Sequence, residues 1–345
     1  MPLAEPLSAV EVLKVGTVVL AGFMGTLLTT AWSISAVRSL MGSVTSDAAP
    51  TDAASATPSN PFSDRTFNLV ASLAAAFGVA TPILIKAGNT LKNPVQSAFL
   101  LFITLTSFLT GFRVQAKFKH HKVVHPLVQC TILTWGGAKL MGVLTGATFI
   151  DMLAGYKTGS LSLMGFGAGD ILLFLLGPTV VSFGWQMYNR SKLIQENIKE
   201  VGTAAVTSSV GGLFGTAAAV RLLSIAKPSI RLALISRNIT SPLAIAIASI
   251  LGADVSYAVT MVVISGLIGA NSGASILSKF NVNDPVARGL SIGAAAHGLG
   301  TAAFVNEKEA FPFSAVSMAL TASLSTVLVS IPVIRTALIK IALGA

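Results

Sequence analysis

Charged residues are scarce in this chain. Only 10% of its 345 residues are charged and 53% are hydrophobic, with a mean hydropathy of +0.77. Ordinary soluble domains carry about 25% charged residues, so this composition leaves too few charges to cover a soluble globule of this size. The sequence therefore predicts an integral membrane protein in contact with the lipid bilayer.

Acidic residues are fewer than basic ones, 13 against 23, which gives a formal net charge of +10. An excess of this size is one signal of nucleic-acid binding. Here, however, the basic residues are scattered between apolar runs, as expected for loops that face anionic lipid headgroups. We therefore expect no nucleic-acid partner.

The sequence also lacks the common signatures of enzymes. Its single cysteine, Cys130, lies in an apolar run and cannot form an intrachain disulfide, so a packing role is expected. No Cys/His cluster has metal-ligand spacing, and neither a nucleophile elbow nor a phosphate-binding glycine loop is present. We predict a protein that is not an enzyme and that needs no metal or cofactor.

Long apolar stretches fill most of the chain. Each approaches the roughly 20 residues that a helix needs to cross the hydrocarbon core. The fold class predicted is an all-α polytopic membrane protein with about nine to ten transmembrane segments, some of them broken or re-entrant. The predicted segments are residues 15–37, 66–85, 94–112, 123–153, 164–187, 201–226, 232–251, 256–277, 287–304 and 311–337.

Two of these segments contain a polar interruption. The first is Ser236-Arg-Asn-Ile-Thr-Ser-Pro242. Proline fits the first turn of a helix and Thr240 or Ser241 is a good N-cap, so a new helix is expected to begin inside the apolar segment. Its free N–H groups would form a carboxylate site with the side chains of Arg237 and Asn238. The alternatives are a proline kink for the segment and, for Arg237, contact with headgroups.

The second interruption, Ala296-His-Gly-Leu-Gly-Thr301, combines an imidazole with two glycines and a hydroxyl. His297 is a candidate to bind an anion or carry a proton, and Gly298 and Gly300 allow a close backbone approach to the ligand. Thr301 adds a hydroxyl to the same site. The alternative is a neutral His297 that hydrogen-bonds between helices, with both glycines serving tight packing.

Other polar residues in apolar surroundings give weaker signals. Asn271 is a candidate to bind a substrate hydroxyl, and Asp170 is a candidate either for proton coupling or for capping a helix. Asp284 and Arg288 have the spacing of a helical ion pair. A third interruption at Gly177-Pro178-Thr179 would match one of the later breaks if the region contains an inverted repeat.

Several longer motifs resemble one known family. Ala168-Gly-Asp-Ile-Leu172, Gly266-Leu-Ile-Gly-Ala-Asn271, Asp284-Pro-Val-Ala-Arg-Gly289 and the second interruption match, in order and spacing, the LrgB/CidB family of membrane proteins. Residues 66–345 resemble its LrgB-like transport domain. Residues 1–42 resemble only the last helix of an LrgA-like domain, and 43–65 are predicted to be a disordered linker.

The resemblance implies a function. A plant and algal branch of the family moves glycolate and glycerate across the inner plastid envelope in photorespiration, which implies secondary transport of small 2-hydroxycarboxylates, by exchange or with a proton. Bacterial relatives imply alternatives: a holin/antiholin-like modulator of membrane permeability or murein hydrolase activity, or a pyruvate transporter, in a bacterial-type cell membrane. The remaining LrgA-like helices and a transit peptide have no counterpart in this sequence. Either the sequence is a truncated version of a longer chain, or a separate LrgA-like subunit is the expected partner. A homo-oligomer is the other assembly expected.

Overall fold

The protein is described by a computed structural model over residues 7–41, 62–117, 125–160, 162 and 164–344. These residues form helices joined by turns and short loops, and contain no strand. In chain order the helices are α1 (Ala9–Leu40), α2 (Asp64–Lys86), α3 (Lys92–Lys117), α4 (Pro126–Thr145), α5 (Phe149–Tyr156), α6 (Ala168–Phe174), α7 (Leu176–Asn189), α8 (Ser191–Glu196), α9 (Ile198–Leu222), α10 (Pro228–Leu234), α11 (Ser241–Leu251), α12 (Val255–Lys279), α13 (Pro285–Ala303), α14 (Phe311–Ser330) and α15 (Pro332–Leu343).

The predicted all-α polytopic membrane fold is confirmed. Over the described residues, seven helices are long and apolar enough to cross a bilayer: α1, α2, α3, α4, α9, α12 and α14. Large apolar side chains such as Leu13, Leu20 and Trp32 are exposed, as expected for a surface covered by lipid. Three predicted segments remain, and each contains a break. Residues 164–187 are divided into α6 and α7, residues 232–251 into α10 and α11, and residues 287–304 lie in α13, which is interrupted at His297.

The chain forms two compact units. One contains residues 1–55 and 180–345, and the other contains residues 56–179. In the first unit, α1 packs against α9, α12 and α13. In the second, α3 packs against α2 and α4, around a small core that includes Phe99, Leu100 and Met141. Most of the predicted linker, residues 43–61 of 43–65, lies outside the described residues, so the predicted domain division stays a prediction.

Charged contacts define two opposite ends of the first unit. Near the start of α1, Glu11 accepts from the Ala226 N–H (3.0 Å) and the Lys14 ammonium donates to the Ser224 carbonyl (3.1 Å), just beyond the end of α9. We call this the Glu11 end. Helices α1 and α9 are therefore antiparallel.

At the opposite end, which we call the Arg38 end, the guanidinium of Arg38 approaches two carboxylates. It lies 4.0 Å from Glu200 at the start of α9 and 3.5 Å from Asp284 at the start of α13. Helix α12 connects the two ends. Asp254, which precedes its first residue, lies beside Ser229 at the Glu11 end, and Asp284, which follows its last residue by five positions, lies at the Arg38 end.

Helices α10 and α11 form a re-entrant hairpin, which we call hairpin 1. A continuous helix would separate Ser229 from Asp254 by about 37 Å, yet the Asp254 N–H lies 3.5 Å from the Ser229 carbonyl. Ala233 and Ala248 pack together between that base and the turn at residues 235–240. The chain thus enters from the Glu11 end, turns inside the protein and returns.

Helix α13 and the residues after it form a second hairpin, which we call hairpin 2. The two helical segments of α13 are separated by the single residue His297. At His297 the backbone adopts φ 42° and ψ −137°, which no helix permits. Residues 298–310 then run back along residues 285–296, so that Arg288 contacts Glu307 at the base. Hairpin 2 therefore enters from the Arg38 end, opposite to hairpin 1.

Candidate functional site

The tip of hairpin 1 is the first interruption identified in the sequence. Residues 232–240 are all buried. Thr240 has the extended conformation of an N-cap, α11 begins at Ser241, and Pro242 occupies its first turn. The predicted helix start is therefore present in the interior of the unit, where irregular backbone is shielded from lipid by protein.

The tips of the two hairpins meet. The side-chain amide of Asn238 in hairpin 1 donates to the carbonyl of Ala294 in hairpin 2, at 3.3 Å. Ala294 lies in the last helical turn before His297. In a continuous helix its carbonyl would accept from an N–H group of the next turn, and the break at His297 removes that donor. Asn238 replaces one of those donors and joins the two breaks.

Arg237 is the most unusual side chain of this site. It is 2% exposed, and within the described part of the chain its one hydrogen bond runs from Nη2 to the hydroxyl of Thr26 in α1, at 3.2 Å. Its Nε and Nη1 are buried without a partner, and no described carboxylate pairs with it. A guanidinium carries its charge at every physiological pH, and an unpaired charge buried in a membrane protein is costly. Such a group is a strong candidate to bind an anion.

Three glycines of neighbouring helices make room for the polar side chains of the tips. A Cβ on Gly22 of α1 would collide with the guanidinium of Arg237. One on Gly212 of α9 would lie 2.8 Å from Nδ2 of Asn238, and one on Gly266 of α12 would lie 2.6 Å from Cε1 of His297. Each of these glycines lies well inside its helix. The site is therefore far from both ends of the unit.

His297 is held by a hydrogen bond between helices. Its Nε2 lies 2.9 Å from the Val262 carbonyl of α12, and because a carbonyl only accepts, Nε2 carries the proton. The side chain is 5% exposed. This geometry matches the alternative stated for the sequence, a histidine bonded between helices. Its positive φ is rare for a residue with a side chain and costs about 1–3 kcal/mol.

Gly298, Gly300 and Thr301 lie immediately beyond the turn. A Cβ on Gly300 would lie 2.5 Å from the Ala296 Cβ, so this glycine allows the two arms of hairpin 2 to pack closely. Gly298 is partly exposed, and a Cβ on it would meet only the sulfur of Met318, at 3.6 Å. The Thr301 hydroxyl donates to the Ser314 carbonyl (3.3 Å). Gly300 and Thr301 therefore support the tip through packing and a backbone contact.

Asn271 does not belong to this cluster, which corrects the prediction for that residue. It is exposed, and its amide donates to the Leu267 carbonyl of its own helix at 2.9 Å. Gly266 and Gly269 place the opposite face of α12 against hairpin 2. The helical period turns Asn271 away from it.

Asp170 caps a helix, which is one of the two roles predicted for it, and its proton-coupling role stays a prediction. In the second unit it accepts from the backbone N–H groups of Thr158 (2.8 Å), Gly159 (3.0 Å) and Gly167 (2.9 Å), and from the Thr158 hydroxyl (2.8 Å). Desolvation raises the pKa of this carboxyl, but the hydrogen bonds outweigh it and lower the pKa to about 2.

The predicted pairing of Asp284 with Arg288 is also wrong. Asp284 caps α13 by accepting from the Ala287 N–H (3.0 Å), and it lies 3.5 Å from Arg38. Arg288 instead binds both carboxylate oxygens of Glu307, at 2.8 and 2.7 Å. Its charge is therefore neutralised at the base of hairpin 2.

Sequence reasoning missed the contribution of α1. Gly22 and Thr26 contact Arg237, yet nothing in the apolar stretch around them distinguishes them from packing residues. Gly212 belongs to the apolar run Gly211-Gly-Leu-Phe-Gly215, whose composition predicts only helix packing. Small residues spaced so that they share one face of a helix are only a weak signal of a binding site, because most such faces serve helix packing alone.

Comparison with known proteins identifies relatives of the chain. The model of the LrgB-like family matches residues 104–334. The chain is 33% identical to the plastidal glycolate/glycerate translocator 1 of Arabidopsis thaliana over 346 aligned residues, 99% of this chain and 65% of that protein. It therefore spans slightly less than two thirds of this relative.

Bacterial relatives align over a shorter range. The holin-like protein CidB of Staphylococcus epidermidis is 24% identical over 69% of this chain and 96% of its own length. The uncharacterized protein YwbG of Bacillus subtilis is 26% identical over 64% of this chain and 91% of its own length. No solved structure shows significant similarity.

Proposed function

The chain belongs to the LrgB-like family, and on that premise we propose that it is a secondary transporter of small 2-hydroxycarboxylate anions. The observation that carries the proposal is Arg237, a buried guanidinium at the meeting point of two re-entrant hairpins, with two nitrogen atoms that have no partner among the described residues. Its charge needs an anion, and the site is built from the broken helices that transporters use for substrates.

The chemistry of the tip suits a carboxylate. A guanidinium donates two parallel hydrogen bonds to carboxylate oxygens, and here Nε and Nη1 are the unpaired donors. The N-terminus of α11 begins at Ser241, four residues after Arg237, and contributes its partial positive charge. We propose that Arg237 holds the carboxylate while Ser241 and its helix stabilise the charge.

The arrangement of the hairpins supports alternating access. Hairpin 1 enters from the Glu11 end and hairpin 2 from the Arg38 end, so each separates the site from one side of the membrane. Movement of one hairpin tip at a time would open the site to one side while the other remains closed. His297 would then act by holding the tip of hairpin 2 against α12 through Val262.

Glycolate and glycerate are the substrates we propose, with the plastid inner envelope as the membrane. The Arabidopsis relative, which is named as a translocator of both and as chloroplastic, supports this assignment. Exchange of the two anions or their movement with a proton both fit a single carboxylate site. We also propose an LrgA-like subunit or a second copy of the chain as the partner.

Transport into proteoliposomes tests the proposal. The purified protein is reconstituted, and uptake of radiolabelled glycolate is measured with and without glycerate inside. We expect saturable uptake that internal glycerate accelerates. Saturable uptake of pyruvate alone would favour the pyruvate transporter. Release of unrelated trapped solutes, with no saturable carboxylate uptake, would favour the holin-like function that the name of CidB suggests.

Arg237→Gln tests the site itself. This change removes the guanidinium and should reduce glycolate uptake at least ~100-fold, because a buried charged contact to the substrate is lost. Arg65→Gln is the control, since Arg65 is exposed and the change in net charge is the same. Equal uptake by the two variants, at equal amounts of folded protein, would contradict the assignment of Arg237.

A further inference from the structure

The tip of hairpin 1 presents unpaired acceptors beside its unpaired donors. Asn238 is 2% exposed and Thr240 is 4% exposed. The Oδ1 atom of Asn238 and the hydroxyl of Thr240 are both buried, and neither has a hydrogen-bond partner among the described atoms. Buried polar atoms are nearly always paired, so each of these two oxygens indicates a missing partner.

The orientation of the Asn238 amide is fixed by its surroundings. Its nitrogen lies 3.3 Å from the carbonyl oxygen of Ala294, which only accepts, so the atom facing it must be the donor Nδ2. The Oδ1 atom is therefore the free one. It can accept a hydrogen bond, and it has no proton to give.

This pattern of donors and acceptors describes a ligand with two different ends. Arg237 offers donors, which suit the oxygens of a carboxylate, while the adjacent residue Asn238 offers an acceptor, which needs an O–H or N–H group. A 2-hydroxycarboxylate has both, on neighbouring carbon atoms. Acetate and pyruvate have the carboxylate but no hydroxyl donor.

We infer that Asn238 is a specificity-determining residue, which accepts a hydrogen bond from the 2-hydroxyl group of the substrate and so selects hydroxycarboxylates over keto and unsubstituted carboxylates. The inference rests on the proposed function, since it assumes that Arg237 binds the carboxylate. A site built to bond a hydroxyl rejects analogues without it, because its own polar atoms are then left buried and unpaired.

Competition in proteoliposomes tests this inference with pairs of matched size. Uptake of labelled glycolate is measured in the presence of each unlabelled acid as inhibitor. Inhibition by lactate is compared with inhibition by propionate and by pyruvate, and inhibition by glycolate is compared with inhibition by acetate. In the wild type we expect the hydroxy acid of each pair to inhibit at a concentration at least ~10-fold lower. A wild type that takes up glycolate without this preference would overturn the inference and leave the transporter standing. If no carboxylate is taken up at all, the proposed function fails as well.

Two variants separate a role in selection from a role in structure. Asn238→Leu removes the acceptor and should reduce the preference to less than ~3-fold, mainly by weakening hydroxy acids. Arg237→Gln should weaken every carboxylate alike. Equal weakening of hydroxy and unsubstituted acids by Asn238→Leu would mean that Asn238 serves only the structure, which would overturn the inference.

A milder change guards against misfolding of Asn238→Leu. A Cβ on Gly212 would lie 2.8 Å from Nδ2 and 3.1 Å from Oδ1 of Asn238, whereas one on the adjacent Gly211 would meet nothing within 4 Å. Gly212→Ala should therefore reduce the hydroxyl preference and Gly211→Ala should not. An unchanged preference in Gly212→Ala would count against Asn238 as the selecting residue.

Discussion

Arg288 and Glu307 are 19 residues apart in the chain, and their side chains form a buried pair with two hydrogen bonds of 2.8 and 2.7 Å. A straight helix would place them about 28 Å apart. Their contact shows that α13 reverses direction at His297. It also closes the base of hairpin 2, so the tip is supported from the Arg38 end.

Glu307→Gln should destabilise the protein, because it leaves the charge of Arg288 buried without a counter-ion. We expect a loss of about 3–5 kcal/mol in the free energy of unfolding. The measurement is thermal unfolding of the purified protein in detergent. Glu309→Gln removes the same charge at an exposed position of the same loop and should have little effect. Similar melting temperatures for the two variants would contradict the pairing.

Gly22→Ala should impair transport through Arg237. The new methyl group would occupy the space of the guanidinium, and that group is the flexible end of a long side chain. Displacement of the guanidinium is therefore expected, with a raised KM for glycolate and little loss of stability. Gly25→Ala on the same helix meets nothing within 4 Å and serves as control. The idea fails if both variants transport like the wild type.

His297→Gly and His297→Ala should differ in stability and agree in function. Glycine adopts the positive φ of 42° without strain, whereas alanine does not, so only the alanine variant should carry that backbone cost. Both lose the hydrogen bond to Val262 and should lose exchange. The measurements are thermal unfolding and glycolate exchange. Exchange at the wild-type rate in His297→Gly would show that the imidazole is dispensable.

Asp170→Asn should lower stability near neutral pH and have no effect in strong acid. The folded-state pKa of about 2 lies below the ordinary value of 3.8, so the stabilisation is present above pH 3.8 and is lost as pH falls through 2. The difference in melting temperature between wild type and variant, measured from pH 7 downward, should shrink over that range. Loss of the pH dependence of transport in the variant would support the predicted proton-coupling role of Asp170, and an unchanged pH dependence would contradict it.

Cysteine labelling should place the bases of the two hairpins on opposite sides of the membrane. In a Cys130→Ser background, Ala226→Cys marks the Glu11 end and Lys308→Cys marks the Arg38 end, and both positions are exposed. A membrane-impermeant thiol reagent applied from one side should modify only one of the two variants. Modification of both from the same side would contradict the opposite entry of hairpins 1 and 2.

The positions of the two breaks could be predicted because their causes are local. Pro242 disfavours a continuous helix because it has no N–H group and clashes with the preceding turn, and Gly298 and Gly300 disfavour it because glycine loses the most conformational freedom in a helix. The sequence left open whether each break was a kink, a half-helix or a hairpin. That distinction depends on contacts such as Ser229 with Asp254, which involve residues far beyond one helical turn.

The candidate site was only partly predictable for the same reason. Arg237, Asn238 and His297 are polar residues in apolar segments, and such residues are functional candidates by their cost in lipid. Whether each one is paired depends on neighbours elsewhere in the chain. Asn271 gave the same local signal, yet the helical period of α12 turns it outward.

The amino-acid sequence by itself determined that this protein lies in a membrane, that its segments are helical and where two of them break, because composition and backbone preference are properties of neighbouring residues. The tertiary structure decided that the breaks are the tips of two opposed hairpins and that Arg237 lies between them with no carboxylate partner among the described residues. Among the residues that the structure describes, its hydrogen-bond partner is Thr26, 211 residues away in the chain. Only the packing of α1 against hairpin 1 brings the two together, and no local pattern encodes that contact.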